Sequence, residues 1–197
     1  MTDIPLVIRH ETAADAETID RLHERAFGPG RFAKTAYRLR EGIDPIAALS
    51  FTALVGTLIV GSIRLTPIRI GATPALLLGP LTVEPAFSSI GIGMSLIQKA
   101  ADAARELGHR LVILVGDEPY YGRAGFKKVP RGRIELPGPV DPERVLVLEL
   151  VDGAFDGVTG ILPPWRKQWN TQTQWPVVQP YVSYKSRINE KTTFTAG

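Results

Sequence analysis

The chain has 197 residues, 44% of them hydrophobic and 22% charged, which is enough for one sizeable hydrophobic core and short for two. It contains no Cys, which excludes a disulfide framework, a thiol nucleophile and a Cys-based metal site, and its three His residues show no metal-ligand spacing, so we expect no metal. The net charge of +3 comes from residues 165–197, which hold five basic side chains against one Glu, and it says little about the partner of the remaining chain.

No stretch approaches 18 consecutive apolar residues, and the N-terminus has no basic segment followed by a long apolar run. We therefore expect neither a membrane span nor a signal peptide. A cytoplasmic location is the default expectation for such a chain.

The N-terminal third predicts a strand, two helices and a β-hairpin. A strand is expected at Leu6–Arg9, and Thr12–Asp15 has the spacing of a capping box that opens a helix with one apolar face. A second, less regular helix is expected over Phe32–Arg40. The β-rich runs Ser50–Val55 and Thr57–Ile63 predict a hairpin, and strand character continues from residue 66 to residue 70 before a turn rich in Gly and Pro.

The middle of the chain has the order strand, glycine-rich turn, helix, strand. Leu76–Val83 is apolar on both faces, which is typical of a central strand. Two glycines, Gly91 and Gly93, precede a helical apolar stripe that runs from residue 97 to residue 107. Leu111–Val115 is the next buried strand, so one strand–helix–strand crossover lies within a sheet that is otherwise antiparallel.

The turn before that helix is a candidate anion site. The first amides of a helix have no intrahelical acceptor, and the helix dipole places partial positive charge at the same end. Gly91–Met94 should therefore present backbone N–H groups to an anion, for which a phosphate is the obvious choice. Glycine also allows a bulky pyrophosphate to approach the backbone closely.

After the crossover, Asp117 can cap a short helix that carries Tyr120 and Tyr121. Two further strands are expected at Phe126–Val129 and Arg144–Val151, with a loop rich in Pro and Gly between them. From the residues alone, Tyr120 is assigned to packing, and an aromatic at the edge of the core is a better interpretation of Tyr121 than a catalytic group.

We divide the chain into a domain of residues 1–160 and an extension of residues 161–197 of unknown role. The extension holds all three Trp residues and shows no helical stripe. Val177–Tyr184 could form a strand that pairs with the sheet edge of another subunit, which would make a homodimer. Its basic and aromatic residues are irregularly spaced, which argues against nucleic-acid binding.

Two motifs, in this order and at this separation, carry a family resemblance. The first is the run Leu81–Ile97, and the second joins Val-Gly-Asp at residues 115–117 to Tyr-Tyr-Gly-Arg-Ala-Gly-Phe at residues 120–126. Together they resemble the GNAT superfamily of acyl-CoA-dependent N-acetyltransferases, and more narrowly a bacterial subgroup of predicted N-acetyltransferases. The resemblance extends over about residues 6–160. It implies an α/β (α+β) fold with a mixed, mostly antiparallel central sheet flanked by helices.

The resemblance also implies a co-substrate, a reaction and site residues. The co-substrate is acetyl-CoA, with its pyrophosphate on the amides of Ser88–Gly93 and its pantetheine arm beside Leu81–Val83. Tyr121 matches the family's tyrosine, which protonates the leaving CoA thiolate after an amine attacks the thioester directly. The cofactor-binding residues implied are Leu81, Thr82, Val83, Ser88, Ser89, Ile90, Gly91, Ile92, Gly93, Met94 and Ser95.

The sequence departs from the family pattern in two ways. Ser88 stands where the family has Gln or Arg, and Ile90 replaces a residue that is often basic, so we expect weaker CoA binding. The strand Leu76–Val83 also lacks the glutamate that serves some relatives as general base. Glu84 is the base candidate; Asp117 or Glu118 acting through water, or an amine that arrives deprotonated, are alternatives.

Two other classes of protein remain open at this point. One is a non-catalytic acyl-CoA-binding or partner-binding module on the same fold. The other is a dinucleotide-binding enzyme, although Leu96 occupies the third glycine position of that fingerprint. The acceptor amine, of a small molecule or a protein, is not identified, because its pocket should be built from the least patterned segments, Gly28–Pro45 and Pro130–Glu143.

Overall fold

The computed structural model describes residues 5–30 and 35–162. Its main sheet has seven strands in the order β1-β2-β3-β4-β5-β8-β6, and β7 and β9 form a second, two-stranded sheet. The strands are β1 (Leu6–His10), β2 (Ser50–Val55), β3 (Leu58–Ile70), β4 (Thr73–Val83), β5 (Leu111–Val115), β6 (Lys127–Lys128), β7 (Ile134–Glu135), β8 (Val145–Glu149) and β9 (Gly160–Ile161). The helices are α1 (Ala16–Phe27), α2 (Thr35–Arg38), α3 (Ile92–Glu106) and α4 (Glu118–Tyr121).

The main sheet is mixed and mainly antiparallel, which confirms the predicted fold class. Within the described ranges, β4 and β5 are the one pair of neighbouring strands in it that run parallel, and they are joined through α3. This is the predicted crossover. The described residues do not form a doubly wound parallel sheet, which is the fold of the dinucleotide-binding fingerprint.

A β-bulge lies between β3 and β4. Ile63 pairs with Leu81 and Leu65 pairs with Leu78, so Gly79 and the following proline lie opposite a single residue of β3. A proline lacks the N–H needed inside a regular ladder, and a bulge is one of the few places where a sheet accepts it. The bulge interrupts the ladder without ending β3, and the two predicted strand runs of this region are therefore one strand of 13 residues.

Helices cover both faces of the sheet. His23 of α1 contacts Ser62 of β3, whereas Leu96 of α3 packs beside the preceding residue, Gly61. Adjacent residues of a strand point to opposite faces, so α1 and α3 lie on opposite sides. The buried residues of α3 include the predicted stripe from Ile97 to residue 104, and the predicted Gly108 follows the helix with φ +77°.

Four predicted elements differ from the structure. Of the helix expected over Phe32–Arg40, the structure has α2, while residues 31–34 lie outside the described ranges. The expected loop between residues 130 and 143 contains β7, which pairs with β9; this long-range pairing leaves no local periodicity in the sequence. The strands expected at Phe126–Val129 and Arg144–Val151 are shorter, because β6 pairs with β8 through two residues only.

The end of the described chain is attached to the domain. The amide of Gly71, in the β3–β4 turn, donates to the Ile161 carbonyl at 3.0 Å, and Leu162 is buried. The division at residue 160 stays a prediction, because residues 163–197, including the predicted strand Val177–Tyr184, lie outside the described ranges. No helix in those ranges is both long and apolar enough to cross a membrane.

The start of α1 is held by a charged pair. Both Oδ atoms of Asp15 accept from the Arg9 guanidinium, at 2.6 and 2.8 Å, and Oδ2 also accepts from the Thr12 amide at 2.7 Å. The hydrogen bonds from the Arg9 guanidinium are the main cause that holds the pKa of Asp15 well below its usual range, and those from Thr12 act in the same direction. The Asp15 side chain is 7% exposed and the Arg9 side chain 38% exposed, so solvent screens the pair only in part.

We expect Asp15→Asn to lower the free energy of unfolding at pH 7 by about 2–3 kcal/mol, the usual cost of losing hydrogen bonds to a charged group. The folded-state pKa lies below the unfolded one, so this stability is present above about pH 4 and is lost as pH falls further. Urea unfolding at pH 7 and pH 3 should therefore show a smaller difference at pH 3. Glu17→Gln, in an exposed pair with Arg21, is the control, and equal losses at both pH values would contradict the assignment.

Candidate active site

A cleft opens where β4 and β5 separate. Within the described chain, the two strands pair only at Leu76 and Leu77, opposite Val112 and Ile113, and they diverge beyond these residues. The cleft has a volume of about 410 Å³. Its lining includes Phe27, Thr35, Tyr37, Arg40, Leu78, Gly79, Leu81, Leu114, Val115, Tyr121, Val140, Asp141 and Arg144. Most of these residues come from the ends of β4 and β5 and from residues 28–45 and 130–143, the two segments in which the sequence shows no regular pattern.

Tyr121 lies in the cleft, at the end of α4. Its ring makes edge contacts with the rings of Phe126, at 6.0 Å between centroids, and Tyr120, at 5.0 Å. It also covers Gly116, where an added Cβ would lie 2.3 Å from the Tyr121 Cε2 atom. A side chain at residue 116 would therefore occupy the place of the ring.

Burial is the main cause that raises the pKa of Tyr121 to about 12. The neighbouring Tyr120 and Asp117 act in the same direction, whereas the Arg40 and Arg144 guanidinium groups oppose the rise. The phenol is therefore protonated throughout the neutral and mildly alkaline range. It can donate a hydrogen bond to an anion that forms in the cleft.

The N-terminus of α3 forms a turn with free helical donors. Gly91 is the N-cap, with φ +92°, and Ser89 also has a positive φ of 69°. The first intrahelical bond from this end is donated by the Ser95 amide to the Gly91 carbonyl at 3.0 Å. The amides of Ile92–Met94 precede that bond and have no acceptor inside the helix. The predicted amide donors thus lie together at one helix end.

Side chains of the turn are directed toward its own backbone or toward solvent. The Ser88 hydroxyl and amide both donate to the Pro85 carbonyl, at 2.7 and 3.1 Å. The Ser95 hydroxyl donates to Gly91 at 3.3 Å, and Ile90 is 68% exposed. Anion binding here would therefore depend on backbone amides.

Tyr120 lies on the first turn of α3. A Cβ built on Gly93 would be only 2.1 Å from the Tyr120 hydroxyl oxygen, so this position has room only for glycine while the ring stays in place. Burial raises the pKa of Tyr120, and the nearby Arg123 opposes the rise. Sequence reasoning assigned Tyr120 to packing, but its hydroxyl lies beside the predicted anion site. The adjacency depends on the fold, and no local signal indicates it.

The segment Leu81–Val83 continues β4 beyond the point at which β5 leaves it. Leu81 pairs with Ile63 on the β3 side, and β5 does not cover the opposite side of the strand. The Thr82 side chain points toward α1, because its hydroxyl is 3.2 Å from that of Ser62, which is 3.1 Å from Nε2 of His23. Only main-chain groups of Thr82 can therefore face a ligand in the cleft.

The three carboxylates considered as bases lie outside the cleft lining. Glu84 forms an ion pair with Arg25, and Asp117 lies 3.2 Å from Nε of Arg144. Glu118 is in the first turn of α4. The role of Glu84 as base stays a prediction, and any of the three would need an intervening water to reach a ligand in the cleft.

Sequence reasoning missed the charged residues that line the cleft, and Arg40 is the least exposed of them. It was placed at the end of a predicted helix, where a basic side chain is common and usually exposed. In the structure its guanidinium lies 5.2 Å from the centroid of the Tyr37 ring and lines the cleft. A Cβ on Gly79 would be 2.9 Å from its Nη2 atom. The sequence feature that could have indicated this contact is Gly79, a glycine within a leucine-rich strand.

Comparison with known proteins assigns the class of this fold and site. The acetyltransferase (GNAT) family profile matches residues 16–126. The uncharacterised N-acetyltransferase YhbS of Escherichia coli K12 is 28% identical over 159 residues, which is 80% of this chain and 95% of YhbS. The family profile covers more than half of the chain, and the family and this relative confirm the predicted enzyme class, an acyltransferase. The chain therefore belongs to the acetyltransferase (GNAT) family.

Solved structures agree with this assignment. Escherichia coli YhbS in complex with CoA has a TM-score of 0.71 at 26% identity, covering 82% of this chain and 91% of YhbS. A GNAT family acetyltransferase from Brucella melitensis in complex with acetyl-CoA has a TM-score of 0.53 at 28% identity, covering 78% and 99% of the two chains. The predicted family and the predicted fold are both confirmed.

We expect Gly116→Ala to displace the Tyr121 ring. The new methyl group would also lie 3.0 Å from Cδ1 of Leu114, so the ring has little freedom to shift, and overpacking of this kind costs about 1–3 kcal/mol. The measurement is the free energy of unfolding in urea. Gly30→Ala is the matched control, because no described atom lies within 4 Å of its new methyl. An unchanged free energy in Gly116→Ala would contradict the described ring position.

Proposed function

We propose that this protein transfers an acetyl group from acetyl-CoA to an amine by direct attack of the amine on the thioester. One arrangement carries the proposal: β4 separates from β5 beside the N-terminus of α3, and Tyr121 lies in the opening. The CoA and acetyl-CoA complexes of the two related structures support the choice of co-substrate. The acceptor is an amine of a small molecule or a protein.

The pyrophosphate of acetyl-CoA would be held by the turn at Ser88–Ser95. Three helical amides and the helix dipole supply the attraction, and the space above Gly91 is open. The pantetheine arm would follow the uncovered side of Leu81–Val83, where main-chain groups can bond to its amides. Because the side chains of Ser88 and Ile90 add no charge, we expect this enzyme to bind acetyl-CoA less tightly than relatives with Gln or Arg there.

Tyr121 would act as the general acid. Its phenol keeps its proton up to a pKa of about 12, so it donates a hydrogen bond to the sulfur as negative charge develops there. The proton passes to the sulfur as CoA leaves, and the new amide bond replaces the thioester bond. Tyr121 lies in a partly apolar cleft, so its phenol donates this hydrogen bond with little competition from water.

We retain Glu84 as the candidate base, acting through water because Arg25 holds its carboxylate outside the cleft lining. A neutral amine needs the base only after attack, when the nitrogen carries a positive charge. A Glu84→Gln variant with full turnover would assign this proton to solvent.

The first test concerns the turn. Gly91 and Gly132 both have positive φ values, +92° and +78°, and no described atom lies within 4 Å of either site of substitution. Gly91→Val and Gly132→Val should therefore lose similar stability, about 1–3 kcal/mol from backbone strain. In isothermal titration with acetyl-CoA, we expect only Gly91→Val to lose affinity, by at least about tenfold. A loss of about 1.4 kcal/mol of binding free energy is enough for this change. Equal affinity in the two variants would remove the turn from the proposed site.

The second test concerns the acid. We expect Tyr121→Phe to reduce kcat by about 10²–10⁴ for the best acceptor of an amine screen, while the dissociation constant of acetyl-CoA stays unchanged. With a pKa of about 12, the phenol should cause no loss of kcat/KM in the wild-type protein below about pH 10. Thiol release measured from pH 6 to pH 10 checks both expectations. Full turnover in Tyr121→Phe would exclude it as the acid, and acetyl-CoA binding without turnover of any amine would leave a non-catalytic module.

A further inference from the structure

Arg40 carries an uncompensated charge inside the cleft. As a residue it is partly exposed, but its Nε and Nη1 atoms are buried and have no hydrogen-bond partner among the described residues. Burial lowers the pKa of Arg40 to about 10, which still leaves the guanidinium protonated at neutral pH. A buried charge without a partner is costly, and natural proteins rarely keep one without a use.

Neither the carboxylate that lines the cleft nor the one beside Tyr121 forms an ion pair with Arg40. Asp141 also lines the cleft, but its Oδ1 atom accepts from the Glu143 amide at 3.0 Å. Asp117, which lies outside the cleft lining, pairs with Arg144. No ion pair of Arg40 exists within residues 5–30 and 35–162. The guanidinium therefore faces a cleft that contains no carboxylate bound to it.

The surroundings of Arg40 define what could bind there. The ring of Tyr37 lies against the guanidinium, and Gly79 leaves space beside Nη2. Apolar side chains, among them Phe27, Leu78 and Val140, line other parts of the cleft. Arg40 lies close enough to Tyr121 for each to shift the pKa of the other, so the charge is next to the proposed reacting group.

We propose that Arg40 binds the carboxylate of the acceptor, and that the acceptor is therefore a free amino acid whose amine reacts. The inference rests on the proposed acetyl transfer. A guanidinium presents two parallel N–H donors that match a carboxylate, and one carboxylate neutralises its single charge. A volume of about 410 Å³ holds a molecule of amino-acid size, with an apolar side chain against the apolar lining. In an α-amino acid the amine nitrogen is two bonds from the carboxylate carbon, and this short separation suits the closeness of Arg40 to Tyr121.

The test compares amino acids with their amides in wild-type protein and in Arg40→Met. The probes are L-leucine, L-phenylalanine and the other common L-amino acids, each paired with its amide, which keeps the amine and removes the negative charge. Acetyl transfer is followed by release of the CoA thiol. An amino acid and its amide differ in the basicity of the amine. Because each pair is measured in both proteins, this difference does not affect the comparison. Arg38→Met, at the exposed last residue of α2 and two positions before Arg40, is the matched control.

We expect Arg40→Met to raise KM for the preferred amino acid at least tenfold more than it raises KM for the corresponding amide. Arg38→Met should change neither. If Arg40→Met instead reduces kcat equally for acids and amides, Arg40 acts on Tyr121 and the inference is overturned. A wild-type protein that uses amides, which resemble peptide N-termini, as well as acids would overturn it too.

A binding measurement keeps the inference separate from the proposed reaction. Wild-type protein saturated with CoA should show a higher Tm with its preferred amino acid, and Arg40→Met should not show the increase. Titration with acetyl-CoA alone reports on the proposed co-substrate. Acetyl-CoA binding without any increase in Tm from the amino-acid set overturns the carboxylate site alone, whereas failure to bind acetyl-CoA overturns the proposed transfer.

Discussion

The separation of β4 from β5 after two paired residues is the constraint on which the rest of the site depends. Two parallel strands that stayed paired would close the sheet and bury their own main-chain groups. Because they part, the cleft forms, one side of Leu81–Val83 is left uncovered, and α4 can place Tyr121 between the strand ends. The bulge at Gly79 lies at the same level of the sheet and gives Arg40 its space.

Contacts of two tyrosines with two glycines connect the cleft to the turn before α3. Gly116 lies under Tyr121, and Gly93 lies under Tyr120, so α4 rests on the end of β5 and on the start of α3 at once. The edge contact between the two rings couples these supports. Glycine at residue 93 therefore has a second physical reason beyond the approach of a phosphate, and a substitution there changes Tyr120 as well as the turn.

Features with a local cause could be predicted from the sequence. The strands flanking α3, the capping box at Thr12–Asp15 and the glycine after α3 follow from periodicity and capping chemistry, and the motif resemblance supplied the family. The pairing of β7 with β9 and the burial of Arg40 depend on segments far apart in the chain. Pattern within a short window carries no information on such contacts, so the polar residue that distinguishes this cleft was assigned to an ordinary helix end.

The hydrogen bond from Gly71 to Ile161 has a practical consequence for surface immobilisation. It fixes the last described residues at the β3–β4 turn, where β4 begins, whereas the turn before α3 follows the other end of that strand. Eleven residues of extended chain span about 35 Å, so a tether attached just after Leu162 would start at the opposite end of β4 from the N-terminus of α3. A sensor surface coupled at that point would face the end of β4 that lies away from the turn proposed to hold the pyrophosphate.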